Sequence, residues 1–190
     1  MVPRSAVARE IRQSVPFRSP AQEGTVALLR TADLLRRHLG AVMEASGVTL
    51  QQYNVLRILR GAGEAGLPTL EIGGRMVEQA PGTTRLLDRL EAKGLARRRR
   101  CPHDRRQVLC FITPQGLALL AGLDGPVLAA DRAFFRPLKA DRLAGFVDCL
   151  DRLRAASGAR AGTKEKADAR RSTAAAPRRR PTKGDKPNDP

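Results

Sequence analysis

Arg97, Arg98, Arg99 and Arg100 stand in series, and Arg105 and Arg106 follow closely. Just upstream, Thr84, Arg85 and Arg89 share a stretch with Leu86, Leu87 and Leu90, whose spacing marks the opposite face of a helix. Four adjacent guanidiniums repel one another unless an anion neutralises them, and a phosphate backbone is such an anion. A solvated charge run is the ordinary alternative. The chemistry these residues offer is hydrogen bonding to phosphates and base edges, not bond making. No Ser/His/Asp set, paired carboxylate site, metal-ligand spacing or Gly-rich phosphate loop stands out, so the sequence reads as a non-enzyme that needs no cofactor and no metal.

The elements that must position these residues are legible around them. Pro81 suits a first helical position, and Gly94 suits the end of a helix spanning 81–93. Residues 95–100 and 107–112 form strand-like runs around Pro102-His103-Asp104, and Thr113-Pro114 opens a new helix. This reads as a helix for the DNA major groove followed by a hairpin wing for the minor groove or the backbone. Thr69 is placed to cap a short helix from Leu70 to Met76, and 77–80 form a tight turn, which completes a helix-turn-helix pattern.

Further out, Thr49-Leu50-Gln51-Gln52 is a capping box. The helix it opens carries Leu50, Tyr53, Leu56 and Leu59 and ends at Gly61. Residues 22–46 repeat Val26, Leu29, Leu35, Leu39, Val42 and Met43 at helical spacing, over more length than one small core can cover. Two more helices follow: one from Thr113-Pro114 through Leu117, Leu120 and Leu123, with Gly125-Pro126 as a kink site, and one over about 140–154. After Ser157 periodicity stops, and disorder is expected.

Composition bounds the partners. The 190 residues carry a formal charge of +16 and a pI near 11.4, which favours polyanions. Residues 157–190 hold ten Lys/Arg against four Asp/Glu, and residues 1–20 hold four Arg against one Glu, leaving +7 for the middle. The middle is therefore basic in its own right. Aromatics make up only 3% and Trp is absent, so the core must be aliphatic, which suits helices. Three scattered cysteines exclude a disulfide framework. No apolar run resembles a signal peptide or reaches membrane-spanning length, so a cytoplasmic protein without a membrane partner is expected.

The segments TRLLDRLEAKGL (84–95) and DRRQVLCFITPQG (104–116) together resemble the MarR family of bacterial winged helix-turn-helix regulators. Asp104, Arg106, Val108, Ile112, Thr113 and Gly116 match its wing pattern, and the resemblance spans roughly 24–156. It implies a mainly α fold with a small β-hairpin wing: a winged helix-turn-helix domain plus a helical dimerisation region. The expected layout is a flexible arm at 1–20, a MarR-type domain at 21–156 and a disordered basic tail at 157–190. Within the domain, 49–113 form the winged unit and helices 22–46, 114–135 and 140–155 form the base of a homodimer. The implied function is a regulator, expected as a repressor, that binds a pseudo-palindromic operator in double-stranded DNA.

The resemblance also assigns roles. Pro81, Gly82, Thr84 and Arg85 begin the recognition helix, with Thr84 toward a thymine methyl or phosphate and Arg85 toward guanine. Arg89, Arg98 and Arg100 fall to phosphate, and Gln79 and Thr69 to phosphate at helix N-termini. Arg106 enters or lines the minor groove with Asp104 holding its guanidinium, and Arg105 sits at the wing tip. Gly73 and Gly74 depart from the family pattern inside the short first helix, as does Thr83 at an inward position usually aliphatic and Lys139 where Ser or Thr is common.

Many family members respond to small aromatic molecules, and His38, Tyr53 and Arg57 are the polar residues on the helices that would line such a site. Others sense oxidants. Cys101, beside Arg97–Arg100 and Arg105, is the candidate redox residue, whereas Cys110 and Cys149 read as small core residues. The alternative to a selective regulator is a sequence-nonspecific nucleoid protein, which the basic tail would suit.

Overall fold

A computed structural model describes residues 5–78, 82–101 and 107–174, and the chain divides into two units, 1–137 and 138–190. In the first unit, α1 (Ala6–Glu10) is followed by α2 (Pro20–Glu44) and α3 (Leu50–Ala62). Ser19 caps α2 by accepting from Gln22 N–H at 3.2 Å, with Pro20 in the first turn. The capping box of α3 is present in full: Thr49 Oγ1 accepts from Gln52 N–H, and Gln52 Oε1 accepts from Thr49 N–H. That second bond explains how Gln52, 3% exposed, tolerates burial.

The chain then forms β1 (Leu67–Pro68), α4 (Thr69–Arg75), α5 (Thr83–Ala92), β2 (Ala96–Arg100), β3 (Val108–Ile112) and α6 (Pro114–Phe135). The three strands make one antiparallel sheet in the order β1-β3-β2. The hairpin register pairs Ala96 with Ile112 and Arg98 with Cys110. The two-residue β1 escaped sequence reading because so short a strand has no period. Its Pro68 fits an edge, where a missing N–H breaks no ladder.

The core is aliphatic as expected. Met43, Leu56, Leu59, Ile72, Leu87, Leu90 and Leu120 are fully buried between α2, α3, α4, α5 and α6. Each such side chain contributes roughly 1.5–3 kcal/mol on burial. The junction from the sheet into α6 is tight. Thr113 Oγ1 accepts from Gly116 N–H at 3.1 Å and donates to Gly94 O at 2.6 Å. A Cβ at Gly116 would overlap Leu95 O and meet Ile112, which is the physical reason for Gly in the Thr-x-x-Gly pattern.

The structure fills in two expectations and changes a third. The arm at 1–20 contains α1, whose Ala8 is buried and whose Glu10 pairs with Arg30 of α2 at 3.7 Å. Helix α6 spans Pro114–Phe135, the expected bounds, and runs through Gly125-Pro126 despite the lost N–H. In the second unit, α7 runs Ala140–Ala174, well beyond the expected end near 155 and into the segment read as a disordered tail. Missing apolar periodicity signals the lack of a buried face, not the lack of a helix. The stretch is rich in Ala, Lys and Arg and has no proline before Pro177.

Candidate nucleic-acid interface

Helix α5 begins at Gly82, whose φ of +121° lies in the left-handed region that favours glycine. Among the described residues, no side-chain hydrogen bond caps its first turn. Leu87 and Leu90 point into the core, while Thr84, Arg85, Asp88 and Arg89 are exposed on the opposite face. This matches the expected division except at Leu86, which is half-buried at the edge of the core. Thr83 turns inward and lies against α4, where a Cβ on Gly73 would come within 3.2 Å of its Oγ1. The two departures from the family pattern are thus one contact: Gly73 makes room for Thr83. Gly74 has open space around it and gains nothing from being glycine.

The four strand arginines do not act alike, because successive side chains of β2 point to opposite faces. Arg97 and Arg99 lie over the Phe111 ring, 4.7 and 5.4 Å from its centre. Phe111 is 4% exposed, and its other neighbour is Gly66, where a Cβ would come within 2.5 Å of the ring.

Arg98 faces α5. Its Nη1 donates to Asp88 Oδ1 at 2.6 Å and to Glu91 Oε2 at 3.1 Å, and its Nη2 donates to Thr84 O at 3.1 Å. Its backbone N–H donates to Glu91 Oε1 at 3.1 Å. Partial burial opposes the Arg98 charge, but the Asp88 hydrogen bond and the Asp88 and Glu91 charges outweigh it and raise the guanidinium pKa. Arg98 thus has two carboxylate partners and clasps the wing to α5. Arg100, on the same face, is exposed.

Thr69 is corrected. It is the first residue of α4, not its cap, and its hydroxyl lies 3.7 Å from Cys110 Sγ instead of facing outward. Pro68 takes the cap position and brings no side-chain oxygen. Gln79, Pro81, Asp104, Arg105 and Arg106 lie outside the described residues.

Above α3, a cleft of about 390 Å³ is walled by Leu35, Leu39, Leu50 and Val127, with Tyr53 and Arg57 at its polar side. Arg57 stacks over the Tyr53 ring at 5.8 Å. His38 is not among its lining residues. His38 Nε2 lies 3.0 Å from Ala130 O, and its ring lies against Phe134, so it ties α2 to α6. Sequence reading missed Arg36, Glu78 and Asp131, which also line the cleft. Only the tertiary fold brings α2, α6 and the end of α4 together, so no local pattern pointed to them.

Among the cysteines, Cys101 is half-buried, and its N–H donates to Gln107 O at 2.9 Å, one step past the Arg100–Val108 pair at the loop end of the hairpin. Cys110 is fully buried, as expected. Cys149 is exposed on α7, which corrects its reading as a core residue. The apolar spacing around it in the sequence does not correspond to burial, since Val147 is also 48% exposed.

A short helix pair, a recognition helix with an exposed basic face and a clasped basic hairpin define a winged helix-turn-helix unit. The MarR family model matches residues 48–108. The transcriptional regulator TtmR of Methylorubrum extorquens is 37% identical over 98 residues, which are 52% of this chain and 49% of TtmR, so the chain spans about half the length of that relative. A MarR transcription factor from Planctomyces limnophilus is 36% identical over 72% of this chain and 98% of its own, with a TM-score of 0.56. A MarR variant from E. coli, solved in complex with operator DNA, is 26% identical over 67% of this chain and 90% of its own, with a TM-score of 0.62. The chain belongs to the MarR family of transcriptional regulators.

Proposed function

We propose that the protein is a homodimeric transcriptional repressor that reads a pseudo-palindromic operator and releases it on binding a small aromatic ligand. The observation that carries the reading is the exposed face of Gly82, Thr84, Arg85 and Arg89 beside Arg100, on a helix fixed to its wing by Arg98. Arg85 is the residue for guanine readout, and Arg89 and Arg100 are for phosphate. Pairing of two copies is supported by apolar side chains left uncovered in one chain: Leu28 and Leu29 on α2, Leu117 and Leu128 on α6, and Leu153 on α7. Ligand binding is supported by the cleft, whose apolar walls and two lining arginines, Arg36 and Arg57, suit an anionic aromatic molecule.

The test is selection of operator sequences from random duplexes, followed by competition binding and light scattering. Selected palindromes should be preferred by about a thousandfold or more, with one dimer per site. Equal affinity for all duplexes would favour the nucleoid reading, which the ten Lys/Arg of residues 157–190 support. A selective complex that Arg85→Ala leaves undiminished would overturn the groove assignment.

A further inference from the structure

The ligand cleft shares part of its wall with a smaller one. Gln51, Met76 and Glu78 line both the 390 Å³ cleft and a neighbouring cleft of about 160 Å³ that also touches Arg85 and Arg89. Glu78 therefore stands between two pairs of cations. On one side are Arg36 and Arg57, with the Asp131 carboxylate nearby; on the other are the two outward arginines of the recognition helix. Its Oε1 is held on the first side, while Oε2 is held by Gln51, which lines both clefts. Arg36 Nη1 donates to Oε1 at 3.4 Å and Gln51 Nε2 donates to Oε2 at 3.4 Å. Beside it, Val77 N–H donates to Asn54 Oδ1 at 2.9 Å, which anchors the backbone and leaves the side chain to choose.

Both bonds to Glu78 are long, and the Arg36 and Glu78 side chains are 48% and 41% exposed, so the pair is weak and exchangeable. Among the described residues, neither Arg85 nor Arg89 has an ion-pair partner.

We propose that Glu78 is a positioning residue whose carboxylate is held away from the DNA-reading arginines by Arg36, and that an anion in the larger cleft acts by taking Arg36 from it. Freed Glu78 then pairs with Arg85 or Arg89 and cancels one cation that DNA would otherwise meet. This deepens the ligand-release reading and rests on it for its physiological trigger. The exchange itself needs no ligand to be tested, because Arg36→Ala leaves Glu78 only its long bond from Gln51.

The experiment measures affinity and its salt dependence for Arg36→Ala, Arg36→Lys, Glu78→Gln and the Arg36→Ala/Glu78→Gln double variant, on selected operator and on random duplex, with melting curves for each. Arg36→Ala should weaken binding about fivefold and lower the salt slope by about one, the loss of one phosphate contact. Arg36→Lys should stay near wild type. Glu78→Gln should bind at least as well as wild type, and the double variant should return to its affinity and slope. Unchanged binding by Arg36→Ala, an unchanged slope, or a loss that Glu78→Gln does not rescue would each overturn the proposal. If Arg36→Ala melts early, Arg36→Gln takes its place under the same criteria. Wild-type protein that shows no operator preference overturns the regulator reading instead, while the slope on random duplex still reports on Glu78.

Discussion

Besides the core packing of Leu87 and Leu90, two polar contacts of very different kinds flank the recognition helix. On its wing side, Arg98 joins Asp88, Glu91 and Thr84 O through bonds of 2.6–3.1 Å, and Gly116 and Thr113 lock against Leu95 and Gly94. On its entry side, the cleft wall is tied by a long, half-exposed contact from Arg36 to Glu78. A charge-assisted bond with good geometry resists exchange, whereas a loose surface pair does not. The helix is thus fixed relative to its wing and adjustable relative to the cleft.

The largest effect should come from breaking the firm side. Gly116→Ala forces a Cβ into Leu95 O and should cost about 3 kcal/mol or more, seen as a large fall in melting temperature. Next, Arg98→Ala removes the guanidinium shared by Asp88 and Glu91 and leaves Glu91 only the backbone N–H of residue 98. Operator affinity should fall about tenfold with little change in salt slope if the Asp88 and Glu91 pairs are what engage Arg98. Arg100→Ala is the counterpart: a smaller loss of affinity and a slope lower by about one. A lower slope for Arg98→Ala would return that residue to the phosphate contacts.

On the entry side, Gly74→Ala should stabilise the protein by ~0.5–1 kcal/mol, because its Cβ meets open space. Gly73→Ala should gain less or lose, since Thr83 Oγ1 stands 3.2 Å away. Equal gains at the two glycines would remove the contact described between α4 and α5. The smallest effect lies away from both anchors. Hydrogen bonding to Arg60 lowers the Asp124 pKa, helped by the Arg60 and Arg57 charges and opposed by slight desolvation. A depressed carboxylate stabilises the fold above its unfolded pKa and loses that contribution as pH falls through its folded value. Asp124→Asn should therefore lower the melting temperature slightly at neutral pH, and the difference should vanish in strong acid.

Much of this was legible in the sequence where the cause is local. Thr49 and Gln52 announce α3 through their own hydrogen bonds, and Leu87 and Leu90 announce the buried face of α5 through spacing. The wing was legible from alternation, but the fate of each arginine was not. Alternation says that Arg98 faces away from Arg97 and Arg99; only the packing of α5 across β2 says that Asp88 and Glu91 wait there. Gly73 and Thr83 read as two separate faults because they are ten positions apart, yet they touch. The extent of α7 was missed because its later part follows propensity without an apolar stripe.

Phe111 sets a bound on how this regulator can be tuned. Arg97 and Arg99 roof its ring, and Gly66 floors it. Trading either arginine for an acid to weaken the attraction for nucleic acid would also bare an aromatic ring to water. Lysine would keep the charge but lose the flat stacking group. On that face of the wing, charge and fold are written in the same side chains, so adaptation of affinity there must proceed through compensated pairs of changes.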